Sequence, residues 1–196
     1  MLEWSKPTPQ SNTEPPHNSL REHSADILAP AVVSAPAESL TQITYPEEIP
    51  SPQEMKDLLL DCIGKFALHD FELKECSYHP QTWAEMYKNY VEYTRLRQNF
   101  LRLISQTKAE ECRSIGFDDE DMELLQNKQS PENYNTHLKI PFDFGGELNL
   151  ENICLIKTNP IHDQIHQMIE MQIGCGFLKQ HKIIYIPWFA GSFYHE

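Results

Sequence analysis

The chain has no run of 18 or more apolar residues, so the sequence offers no membrane-spanning helix. Its opening residues, Met1-Leu2-Glu3-Trp4, lack the basic-then-apolar layout of a secretory signal. The expected location is therefore cytoplasmic, or outside the cell after delivery by a machine that reads another kind of signal. No C-x-x-C pair occurs among the five cysteines, Cys62, Cys76, Cys112, Cys154 and Cys175. That argues against a zinc ribbon or knuckle, and the odd count at scattered spacings reads as reduced thiols filling a core. Walker-type glycine loops, G-x-S-x-G elbows and dinucleotide fingerprints are missing too. Positive charge is scarce: 16 Lys and Arg stand against 29 Asp and Glu, a formal net charge of −13. Proteins that grip nucleic acid without sequence preference are normally basic, because phosphate neutralisation drives their affinity. A chain this acidic must localise its positive charge, or borrow it from a metal ion, to do the same. Otherwise its acidity simply serves solubility.

What remains is enough for one modest domain with tails: 196 residues, 40% of them hydrophobic. Residues 1–50 are rich in Pro, Ser, Thr, Glu and Ala, with too few periodic apolar positions to offset ordering entropy, and are expected to be disordered. Residues 51–114 read as helical. Ser51, Pro52 and Glu54 form a helix start, followed by an apolar stripe of Met55, Leu58, Leu59, Cys62, Ile63 and Phe66. A loop is expected around 76–80, then a long helix over about 81–111. Arg95, Arg97 and Arg102 make this helix the densest basic patch, which reads as a solvated face more readily than as a surface that meets a phosphate backbone. Acids at 118–121 favour another helix start. From there the pattern predicts a strand near 137–140, a turn at Gly145-Gly146, and a second strand around 152–156. A helix over 159–173 and a last strand at 182–186 follow. The fold class is α+β. The C-terminal aromatics Trp188, Phe189, Phe193 and Tyr194 can stack on bases, but such a tail more often packs on its own core.

One constellation carries chemistry. His137 falls on the first strand of the expected hairpin, and His162 and His166 fall one turn apart on the following helix. Two imidazoles on one helical face, with a third closing from a strand, make a sensible site for one divalent ion. Neutral imidazoles suit zinc or nickel. Three protein ligands leave coordination positions open, as at a catalytic ion. His69, His79, His181 and His195 have no partner at ligand spacing and are expected to face solvent.

The stretch 136–166 resembles the HNH, or ββα-metal, nucleases. It is most similar to the histidine-rich branch of colicin DNases and bacterial polymorphic toxins. The resemblance rests on His137, Pro141, Gly145-Gly146, Asn152-Ile153 and the His162-x-x-x-His166 pair in order. Upstream, Gly116-Phe117-Asp118, Ser130-Pro131 and Tyr134 resemble the lead-in of such toxins. The resemblance implies a C-terminal ββα-metal module over 115–196. It implies His137, His162 and His166 as ligands of one divalent ion (Zn, Ni, Mg or Mn), with His137 and Asn152 in catalytic positions. Asn152 falls on the asparagine that orients the general base or touches the metal. The implied activity is endonucleolytic, on DNA more than RNA, in a toxin or effector that an immunity or inhibitor protein could neutralise.

The chain departs from that pattern at one position. Aligned on Pro141, the general-base histidine falls at 138, where this chain has Leu138. Leucine cannot accept a proton. Three readings follow: a pseudo-nuclease that keeps the fold as an interaction module, an inactivated variant, or a one-residue bulge that makes His137 the base.

Overall fold

The structure is a computed structural model, which describes residue 43 and residues 45–194. Of the segment expected to be disordered, residues 1–42 and 44 lie outside the described residues. Residues 45–50 pack on the folded body. Tyr45 lies against Gly174, Ile49 against Gly176, and the Pro50 carbonyl lies 3.2 Å from His181 Nε2.

Helix α1, Pro52–Lys65, starts where the sequence places it. Ser51 Oγ accepts from Glu54 N–H while the Glu54 carboxylate accepts from Ser51 N–H, which satisfies two of the first-turn donors. Met55, Leu59 and Ile63 are its buried face. Of the loop expected around 76–80, residues 78–80 lie outside any element, whereas 76 and 77 end strand β1, which spans Glu72–Ser77. Helix α2, Trp83–Thr107, opens on a Thr82–Glu85 capping box, and a short helix α3, Ala109–Ser114, follows the break at Lys108. The acids of the next helix start do cap: Asp118 and Asp121 form the box that begins α4, Asp119–Gln126. Strand β2, Tyr134–Leu138, and strand β3, Ile153–Lys157, form an antiparallel hairpin. After β3, an irregular turn over Thr158–His162 leads into α5, Asp163–Gly174. Helix α6 (Phe177–His181), strand β4 (Ile183–Trp188) and strand β5 (Phe193–Tyr194) complete the described chain.

The strands form two sheets. β1 pairs antiparallel with β4; β2, β3 and β5 form the other, with β5 parallel to β3. Strand β3 is the wall between two apolar clusters. Successive strand side chains point to opposite faces. Cys154 and Ile156 therefore join a core made with α1, α5, α6 and β4, while Ile153 and Leu155 join one made with α2, α3 and α4. The split at residue 114 suggested by the sequence does not mark a packing boundary: α1 and β1 belong with the chain's last helices and strand. One buried side chain stitches that larger core. Gln172 Nε2 donates to the Tyr185 carbonyl at 2.8 Å and its Oε1 accepts from Tyr185 N–H at 2.8 Å, so α5 pairs with the backbone of β4.

All five cysteines are free thiols, and burial raises the Cys154 thiol to about 12. Among the described residues no helix is long and apolar enough to cross a membrane.

Candidate metal centre

Strand alternation sets which way each residue of the hairpin faces. His137 pairs with Cys154 and shares its face, towards the larger core. Leu138 and Tyr134 face the other way and pack on the cluster under α2. Lys139 continues the ladder, its N–H donating to the Asn152 carbonyl at 2.9 Å, and so returns to the His137 side.

The loop between the two strands is held by Asn152. Its Oδ1 accepts from Ile140 N–H at 2.9 Å, and its Nδ2 donates to the carbonyls of Ile140 at 2.8 Å and Glu147 at 3.0 Å. The side chain thus bridges both limbs of the hairpin from a buried position. The expected side-chain bond to the backbone near 137 or 138 is not made; the bonds fall at 140 and 147. The glycine turn is explained by the same clamp. Gly145 sits at φ +83°, where side chains are rarely tolerated, and a Cβ on Gly146 would lie 1.7 Å from the Ile140 carbonyl oxygen. Replacing Asn152 with alanine leaves an N–H and two carbonyls without these partners. The expected loss is about 2–3 kcal/mol of stability, read by urea denaturation, together with weaker metal binding by calorimetry. A variant matching the parent in both would show that the clamp does not organise the site.

The hairpin carries His137 to the start of α5. His162 lies at the end of the irregular turn and His166 one helical turn later. Ring centroids of His137 lie 5.1 Å from His162 and 5.5 Å from His166, and the latter two are 4.3 Å apart. One ring nitrogen from each of the three lies within 4.8 Å of the others, and His162 Nε2 and His166 Nε2 approach to 3.1 Å.

This donor set fits a small divalent ion. Zinc–nitrogen bonds of about 2.0–2.1 Å in a tetrahedral arrangement put neighbouring nitrogens about 3.3 Å apart. The His162–His166 separation is close to that, and the widest separation needs only a modest inward movement. The protonation state suits ligation as well. Burial first, then the neighbouring His162 and His166, hold His137 well below the ordinary histidine value, and burial also lowers His162. Neutral imidazoles are the ligating form. The carboxylate of Asp163 lies 3.9 Å from His162 Nδ1, too far for a direct hydrogen bond.

Of the remaining sequence candidates, His69 and His79 are exposed, His181 is half-buried beside Pro50, and His195 lies outside the described residues. Arg97 has a specific role in packing that the solvated-face reading missed. Its Nε donates to Thr136 Oγ1 at 2.9 Å and one terminal nitrogen donates to Ser130 Oγ at 3.2 Å. Tyr93 reaches the same threonine, so α2 grips β2 on the residue before His137. Arg95 and Arg102 are exposed. Lys139 is the buried charge the sequence did not flag: it is 4% exposed, and burial lowers its pKa.

No family model matches the chain, and no solved structure matches it. The chain is 33% identical over 101 residues to the uncharacterized protein YhhZ of Escherichia coli (strain K12). That match covers 50% of this chain and 24% of the relative, so the chain corresponds to about a quarter of YhhZ's length.

Proposed function

We propose that this chain is an impaired metal-dependent endonuclease of the ββα-metal (HNH) class, acting on DNA as a toxin or effector. The observation that carries the reading is the meeting of His137 on a hairpin strand with His162 and His166 at the start of the following helix. The Asn152 clamp and the glycine turn support it, because they hold the strand that delivers His137.

His137, His162 and His166 would hold the ion. When bound, a divalent ion would polarise the scissile phosphate and stabilise the departing oxygen. The chain's own residues supply the rest. Asn152 fixes the hairpin, and the burial of His137 favours its neutral ring. Attack on phosphorus also needs a group that takes a proton from water, and such a base is typically worth about 10²–10⁴-fold. Leu138 has no lone pair, and it packs beneath α2 on the face away from His137. The missing base is the reason for proposing impairment. It is also the observation that favours a second reading, a non-catalytic interaction module built on the same hairpin and helix.

Plasmid nicking with added Zn²⁺, Ni²⁺, Mg²⁺ or Mn²⁺ tests the reading. Slow cleavage that disappears with chelator and in His162→Ala is expected. Cleavage unchanged in His162→Ala would overturn the metal-dependent assignment, and none above background would favour the interaction module. The Leu138→His variant separates the structural argument from the sequence argument. Aligning the motif predicts that an imidazole at 138 restores the base. The orientation of Leu138 predicts instead no recovery, with a stability loss of about 1–3 kcal/mol from burying a polar ring among apolar side chains. A gain of about 10²-fold or more would show that position 138 can reach the reacting centre.

A further inference from the structure

Lys139 stands out because no carboxylate pairs with it directly, although Glu151 acts on its charge from a distance. Among the described residues it makes no ion pair or side-chain hydrogen bond. A buried ammonium is costly unless something compensates it. Here the compensation comes from aromatic faces: its Nζ lies 5.3 Å from the Trp188 ring centre and 5.2 Å from that of Phe189. A second lysine uses the same indole. Lys74 Nζ sits 3.3 Å from the Trp188 ring centre, with Glu72 Oε1 3.5 Å away. Trp188 thereby holds two ammonium groups within about 9 Å of each other, although like charges repel. Lys108 extends the pattern along the same segment, over Phe193 at 5.6 Å, but is already paired with Glu111 at 2.9 Å.

The position of this pair matters as much as its charge. Lys139 and His137 occupy alternate positions on one face of the hairpin, and alternate strand residues lie about 7 Å apart. In a chain of net charge −13, this is where two ammonium groups adjoin the histidine cluster, with Glu72 beside Lys74 and no carboxylate paired with Lys139. The bland alternative is a snorkelling lysine whose stem merely covers apolar surface. That alternative leaves the second ammonium on the same ring unexplained, and it predicts no link to anion binding.

We propose that Lys139 and Lys74, gathered on Trp188, form a phosphate-binding subsite beside the histidine cluster, which takes a backbone phosphate of the nucleic-acid strand flanking the one presented to the metal. This rests on the nuclease reading above for the identity of the ligand. The subsite gives an acidic chain its hold on the strand, while the metal supplies positive charge at the scissile position.

The test is binding without turnover. The 196-residue chain in EDTA is titrated into a fluorescein-labelled single-stranded DNA 16-mer, with anisotropy read at several salt concentrations. Lys139→Met is expected to weaken binding by about fivefold or more, and to lower the slope of log affinity against log salt by about 0.7, the contribution of one phosphate contact on a single strand. Lys74→Met is expected to act in the same direction, and Lys139→Arg to retain both affinity and slope. A purely structural role would change the melting temperature and leave the slope alone. Parent-like affinity and slope in Lys139→Met would overturn the subsite and leave the nuclease reading standing. If the parent binds no DNA, the nucleic-acid reading fails, and a second measurement tests the subsite by itself. In a Trp4→Phe, Trp83→Phe background, Trp188 emission is followed as pyrophosphate is added. A saturable response that Lys139→Met abolishes supports a phosphate site, and the absence of any response overturns it.

Discussion

Alanine at His137, His162 or His166 is expected to lower affinity for Zn²⁺ or Ni²⁺ by more than about a hundredfold. The figure is a lower bound drawn from a weaker perturbation: removing a partner that merely orients a metal ligand already costs about 10–100-fold. Here each substitution deletes one of three direct donors from a set whose nitrogens lie within 4.8 Å of each other. Two donors cannot enclose an ion, and water must fill the vacated positions. Isothermal titration calorimetry on the parent and the three variants measures this directly. His69→Ala and His79→Ala serve as controls, because both residues are exposed and lie outside the cluster. Full affinity at one-to-one stoichiometry in all three cluster variants would mean that the ion binds elsewhere. Asn152→Ala should fall between the parent and these variants, since it loosens the hairpin without removing a donor.

The parts of this site that could be read from sequence are those fixed by local geometry. The i, i+4 spacing of His162 and His166 puts both rings on one side of whatever helix forms there. Ser51-Pro52 and the acids near Asp118 marked helix starts because capping chemistry is decided within four residues. Asn152 was singled out by resemblance, but its partners at Ile140 and Glu147 depend on how the loop closes. What stayed hidden depends on distant pairing. Strand β1 has no clean alternation of apolar residues, and it is a strand because β4, near the other end of the chain, pairs with it from Glu72 to Ser77. Nothing in the sequence sets Lys139, two residues after His137, apart from the other lysines. Its burial follows from Trp188 and Phe189, which β4 and the turn after it bring alongside. Position 138 was read by alignment as the base, whereas the pleat of β2 turns it towards α2. A one-dimensional motif carries no information about which face a residue takes once the register of its strand is set by packing.

Acidification should destabilise the metal-free chain from just above pH 6.5 downward, and His137 should account for a measurable part of the loss. In the unfolded chain a histidine takes up its proton near pH 6.5. In the folded chain burial, and then the two neighbouring imidazoles, hold His137 well below that value, and burial lowers His162 in the same sense. Between the folded and unfolded values the unfolded state binds more protons, so stability rises with pH across this window. The contribution is present in full above the unfolded value and is lost as pH falls towards the folded one. Each unit of depression corresponds to about 1.4 kcal/mol. Urea denaturation in EDTA at pH 7.5, 6.5 and 5.5 should therefore show a falling midpoint, and His137→Asn should show a shallower fall. Zinc adds a second dependence, because it binds the neutral rings and competes with protons for them. At about 100 times its dissociation constant a ligand stabilises by about 2.7 kcal/mol. That increment should be present in full at pH 7.5 and shrink only as pH falls towards the lowered values of the folded rings, where they begin to hold protons. Parallel midpoints for the parent and His137→Asn across this range, with and without zinc, would show that the buried imidazole is linked neither to folding nor to the ion.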